Sequence, residues 1–149
     1  MKKHNHYTRA ALARLLRVAL VFAFFLIPSC TLFHGVSYYD PTTYRNLTDL
    51  KPHVMFLYVS FGEQDVDFDA VRYIRLRLAQ MHEYEKGKGP LNAETARQIG
   101  NIIVMFEDDV QARLSAGMWS ETQINNSTEN IVDAFDIAIQ TERLKNKNE

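Results

Sequence analysis

Ten apolar residues run without interruption from Val18 to Ile27, and that run decides which part of the chain can form a folded body. A membrane-spanning helix needs about 20 such residues, whereas the apolar stretch of an export signal needs roughly 7–15. Lys2, Lys3, Arg9, Arg14 and Arg17 precede the run, and no acid occurs before Asp40. A basic flank of this kind stays on the cytoplasmic side while the sequence after it is exported. Pro28 then stops the apolar helix, because it has no N–H to donate and its ring clashes with the preceding turn. Residues 1–29 read as a signal peptide, so the fold must be built from residue 30 onward.

The residues at the boundary are Ile27-Pro28-Ser29-Cys30. This segment resembles the lipobox of bacterial lipoproteins, in which an aliphatic residue and two small ones precede an acceptor cysteine. Ile27, Ser29 and Cys30 match that pattern, while Pro28 stands where the class has a small residue. The resemblance covers about a fifth of the chain. It implies that Cys30 is acylated, becomes the new N-terminus and serves as a lipid anchor. Thr31 occupies the position where an aspartate would imply retention in the inner membrane, so the resemblance implies the periplasmic face of the outer membrane. Cys30 is also the only cysteine in the chain. No disulfide can form within one chain, which leaves acylation as the economical use of a thiol in an exported protein.

Five of the 17 basic residues precede Cys30. A chain starting there keeps 12 against 18 acids, a side-chain charge of about −6. An acidic body gives no electrostatic footprint for nucleic acid, and no such partner is expected. Residues 30–39 form an acylated tether, whose nine positions after Cys30 reach about 30 Å at ~3.3 Å each. Residues 40–149 form the domain.

Within that domain Asp40-Pro41 opens a short helical piece to about Leu47, the acid capping and proline at the first position. A second start at Thr48 or Asp49 places Pro52 in an opening turn, where a missing N–H costs little. Leu50, Val54, Leu57, Tyr58 and Phe61 then recur at helical spacing up to Gly62. Asp67 caps the next helix, with Val71, Ile74, Leu78 and Met81 inward and Gly87 at its end. Asn92 caps a third, with Ile99, Ile103, Phe106, Val110 and Leu114 inward and Gly117 as the stop. Ser120 and Gln123 form a capping box for the last helix, which carries Ile124, Ile131, Phe135 and Ala138 and has Asn125–Ser127 as a place to kink. Four helices on short loops predict an all-α fold, an antiparallel up-down-up-down four-helix bundle.

No catalytic, cofactor or metal motif is complete in the sequence. Asp65-Val-Asp67-Phe-Asp69 opens like a calcium loop but has Ala70 at the turn glycine and Leu76 at the closing acid. His82, Glu83, Glu85, Glu107, Asp108 and Asp109 lack the Glu-x-x-His pairing of a di-metal bundle. Asp109 is expected to pair with Arg113 four residues on. Arg72, Arg75 and Arg77 suit either lipid headgroups or nearby acids such as Asp69. The stronger signal is surplus apolar surface. Tyr73 and Leu76 point away from the core stripe, as do Ile137 and Leu144, and Met55, Phe56 and Val59 lie behind the stripe of their helix. Either such residues pack against the short Pro41–Leu47 piece or within an irregular bundle, or, since exposed contiguous apolar area marks contact sites, Tyr73, Leu76, Ile137 and Leu144 are candidate partner contacts.

The sequence therefore predicts a non-enzymatic envelope lipoprotein without a cofactor. It is held to the membrane through Cys30 and binds another envelope protein or a second copy of itself. In plan this is similar to the pilotins, small lipoproteins that escort secretin subunits, though the likeness is one of architecture with no shared motif. A module binding a small apolar or lipidic ligand near Met55, Met81 and Met105 is the alternative, and an envelope enzyme with a scattered site stands behind it.

Overall fold

Asp40 and Pro41 begin the first helix as their chemistry requires. The Asp40 carboxylate accepts the Thr42 N–H at 2.7 Å, and proline fills the first helical position, where no donor is needed. The computed structural model describes residues 37–145 and 147. Helix α1 spans Pro41–Ser60 without a break, which corrects the two-piece reading. Pro52 lies inside it. The carbonyl of Thr48 thereby loses its helical donor, at a cost of about 3 kcal/mol. Pro52 is on the solvent face, where water can take that carbonyl, while Leu47, Leu50 and Val54 on the opposite face are fully buried. Burial of each such side chain is worth about 1.5–3 kcal/mol, so packing outweighs the local rule.

Helix α2, Phe68–Gly87, starts under the Asp67 side chain, which accepts the Ala70 N–H at 2.9 Å. Val71, Ile74, Leu78 and Met81 are buried along it as the periodicity predicts. A single 3-10 turn, Pro90–Asn92, leads into α3, Ala93–Ala116. Asn92 sits at the cap position but makes no capping bond. Its side chain instead accepts from Ser37 and Lys145. The inward residues of α3 are Ile99, Ile102, Phe106, Val110 and Arg113; Ile103 is partly buried and Leu114 exposed. The stripe is thus rotated by about one residue from the predicted one at Ile103 and Leu114. Gly117 ends α3 at φ +83°, ψ −155°, a region that a Cβ makes strained. Helix α4, Glu121–Leu144, carries the predicted capping box between Ser120 and Gln123 and runs as one helix through Asn125–Ser127.

The fold is all-α. Helix α1 packs against α2 and α4, and α3 packs against the same two, so the four close into an antiparallel ring with α1 and α3 on one diagonal. One hydrophobic core fills it, from Leu47 and Met81 towards one end to Tyr58, Phe61, Phe106 and Trp119 towards the other. Those four aromatics stack on or edge into one another with ring centres 5.0–6.5 Å apart, an arrangement that adds about 0.5–1.5 kcal/mol per pair beyond buried area.

Candidate interaction surface

The C-terminal half of α1 is apolar on both sides. Its inner face buries Val54, Leu57 and Tyr58. Its outer face carries Pro52, Met55, Phe56 and Val59, spaced i, i+3, i+4 and i+7, which makes one row along the helix. Phe56 is 76% exposed and Val59 63%. The Pro41–Leu47 stretch cannot cover this row, because it is the first two turns of the same helix. Beside the row, the Tyr73 ring lies 5.5 Å from that of His53, and Phe56 and Tyr73 border one groove between α1 and α2. Leu76, one turn further along α2, is 56% exposed.

Ile137 and Leu144 are exposed as well, on α4. Since α2 and α4 are diagonally opposed, the structure does not bring this pair to Tyr73 and Leu76. The four residues belong to two separate surfaces. Phe56 of the α1 row shares a groove with Tyr73, whereas Ile137 borders a groove between α3 and α4.

The arginines of α2 are engaged. Arg72 pairs with Asp69, Arg75 grips Glu107 through two nitrogens at 2.6–3.0 Å, and Arg77 donates to Asn46 and Gln80. The methionines do not gather around a ligand cavity: Met81 is core, Met55 lies on the outer face of α1, and Met105 borders an open groove between α3 and α4. The gap beside Thr43, Met81, Glu85 and Ile99 is too small for a water molecule. Among the described residues no three His, Cys, Asp or Glu side chains come together as metal ligands.

Charge also enters the interior, at positions that apolar periodicity does not single out. Glu85, Arg113 and Glu142 are buried, and each continues the apolar stripe of its helix by three or four residues, from Met81, Val110 and Ala138. Two of them form matching clasps at the end of the bundle where α1 starts. Lys88 donates to Glu85 at 2.6 Å and pairs with Asp40 at 2.6 Å; Lys145 donates to Glu142 at 2.6 Å and to Asn92 at 2.8 Å. Asp40 joins the clasps, its carboxylate meeting Lys88 and its N–H donating to Glu142 at 2.6 Å. Burial would push the Asp40 carboxyl up, but Lys88, Tyr84 and the Thr42 N–H together hold it well below the usual carboxylate range.

The predicted Asp109–Arg113 pair does not form. Arg113 turns inward to backbone carbonyls, and Asp109 accepts instead from Tyr58 at 2.7 Å and Ser127 at 3.2 Å. Partial burial pushes the Asp109 carboxyl up against the pull of those two hydroxyls. A folded-state value above the unfolded one means that ionising Asp109 works against folding as pH rises through the carboxylate range. Asp109→Asn keeps an acceptor for Tyr58 and offers Ser127 a donor. It should leave the chain within about 1 kcal/mol of the parent, gaining on it as pH rises through and above the carboxylate range in paired urea melts. A variant that instead loses ground over that interval would contradict this assignment.

Among the described residues no helix is long and apolar enough to cross a membrane. Cys30 and the lipobox-like Ile27, Pro28 and Ser29 lie outside the described residues. No protein-family model matches the chain, and neither curated proteins nor solved structures give a significant match to it.

Proposed function

We propose that this chain is a lipid-anchored envelope protein with no enzymatic role, whose bundle captures or steadies another envelope protein through the outer faces of α1 and α2. The observation that carries the reading is the row Pro52, Met55, Phe56 and Val59, apolar and outward, of which Phe56 shares a groove with Tyr73. Large side chains on a solvent face contribute nothing to the core, and contiguous exposed apolar area is characteristic of contact surfaces. A filled core supports a protein partner over a small ligand held between the helices. The anchor is supported by the basic flank, the short apolar run and Cys30. Acylation with more than one chain gives stable attachment where a single chain does not.

The test has two arms. With an alkyne fatty acid fed to cells, the parent chain should carry label and sediment with membranes, and Cys30→Ser should do neither; persistent labelling of Cys30→Ser would remove the anchor. Phe56→Asp combined with Leu76→Asp should abolish the cross-linked species formed by the parent in intact cells, with the helical melt nearly unchanged because both side chains face solvent. Undiminished cross-linking would remove this face as the contact, and a collapsed melt would show that the two side chains belong to the core.

A further inference from the structure

The two ends of the bundle differ in chemistry, and the tether joins only one of them. We infer that the end carrying Tyr38, Leu91 and Leu144 rests on a lipid bilayer surface, with the opposite, acidic end turned away from it. The inference depends on the proposed acylation of Cys30.

Reach is the first argument. The chain is already fastened to the bundle at Ser37, whose hydroxyl donates to Asn92 at 2.9 Å. From Cys30 to Ser37 is seven residue steps, which extend no further than about 25 Å. Helix α3, at 24 residues, is about 36 Å long. The tethered end therefore lies within about 25 Å of the anchored cysteine, and it is the end that diffusion on so short a leash brings repeatedly against the headgroups.

Surface chemistry is the second. At the tethered end Leu144 is 75% exposed, Tyr38 55% and Leu91 46%. Tyr38, Tyr84 and Leu91 border one concavity with Lys88, and Lys147 lies 5.0 Å over the Tyr39 ring. Tyrosines with aliphatic neighbours suit the interfacial layer, where one part of the side chain is apolar and the other wet. Among the described residues, the acids at this end are matched by cations: Asp40 and Glu85 by Lys88, Glu142 by Lys145, Glu83 by Lys86, Glu94 by Arg97. Anionic headgroups thus meet neutralised acids and the outlying Lys147. The far end is the opposite. Glu63, Asp65, Asp67 and Glu121 stand exposed there, and Arg113 beneath them is spent on backbone carbonyls. An acidic pole is repelled by an anionic surface, which favours the same orientation.

The acylated full-length protein, reconstituted into phosphatidylethanolamine–phosphatidylglycerol vesicles, tests this. A fluorophore is attached at Leu144→Cys, at Leu91→Cys or at Glu121→Cys, and headgroup-level nitroxide lipids serve as the quencher. Quenching at the first two positions should exceed that at Glu121→Cys at least about fivefold, given the ~35 Å of bundle between them. Equal or reversed quenching, in protein that carries its acyl chains by mass and floats with the vesicles, overturns the orientation while leaving the anchor intact. It would leave the tethered end to a protein partner instead. Protein that carries no acyl chains and does not float would overturn the anchor, and the inference with it.

Discussion

Lys88→Met should unfold this bundle more readily than any single change on its surface, lowering stability by about 3–5 kcal/mol. Methionine nearly matches the lysine stem in volume, so the loss is electrostatic. The Lys88 ammonium faces Glu85, Asp40 and the Thr43 hydroxyl, all within 2.6 Å, and lies 4.5 Å over the Tyr84 ring. Removing it strands the Glu85 carboxylate, 1% exposed, in the interior, and breaking one side of such a pair is far more damaging than replacing both. The double change Lys88→Met with Glu85→Gln should therefore recover a large part of the loss, since the amide oxygen introduced there would still accept from Thr43. Acid dependence gives a second readout. The folded-state value of Asp40 is depressed, so its contribution is complete above the unfolded value of about 3.9 and disappears as pH falls below it. Without Lys88 that acid limb should flatten. Thermal melts at pH 7 and pH 3 check both; a Lys88→Met melt within about 1 kcal/mol of the parent would mean that the clasp is solvated and its ion pairs contribute little.

The parts of this structure visible in the sequence are those decided locally. Asp40-Pro41, Asp67 and the Ser120–Gln123 box start helices because a side-chain oxygen placed before a helix satisfies donors that nothing else reaches. The α2 stripe and Ile131, Phe135 and Ala138 in α4 follow from spacing alone, as does the outward direction of Tyr73, Leu76, Ile137 and Leu144. The remainder is decided by packing. Pro52 resembles a helix start because the local penalty is real, and only burial of Leu47 and Leu50 on the same helix overrides it. Asp109 and Arg113 resemble an ion pair because i and i+4 neighbours usually meet on a helix, yet the turn of α3 that aims Val110 at the core also aims Arg113 inward. A trace of the clasps is present: Glu85 and Glu142 stand in the last turns of their helices, against the dipole, and each has a lysine three residues on. An acid continuing an apolar stripe at a helix C-terminus, followed by such a lysine, is a pattern that single-helix wheels discard as surface.

At the far end, Arg113→Met should cost about 2–4 kcal/mol and should not be rescued by lysine. Arg113 is buried, and its guanidinium donates to three backbone carbonyls, Phe61 at 2.9 Å, Glu63 at 2.7 Å and Gln64 at 3.1 Å. Trp119 donates its backbone N–H to the same Phe61 carbonyl at 2.9 Å, so one oxygen ties the α1–α2 connection both to the last turn of α3 and to the residue before the α4 cap. Methionine would fill the stem and offer no donor. The exposed Glu63 and Gln64 could recover water, whereas the Phe61 carbonyl, beneath a buried ring and beside Trp119, could not do so cheaply. Lysine would bring the charge as a single point on a flexible stem, without the planar fork that serves three carbonyls at once. Both variants should therefore show faster amide exchange across residues 61–67 than the parent. Because the outward row of α1 ends at Val59, two residues before Phe61, loosening this junction should also weaken partner capture in proportion to that exchange. If Arg113→Lys matched the parent in melt and exchange, position 113 would need only a positive charge near the C-terminal end of α3, and the carbonyl latch would have no part in holding the contact face.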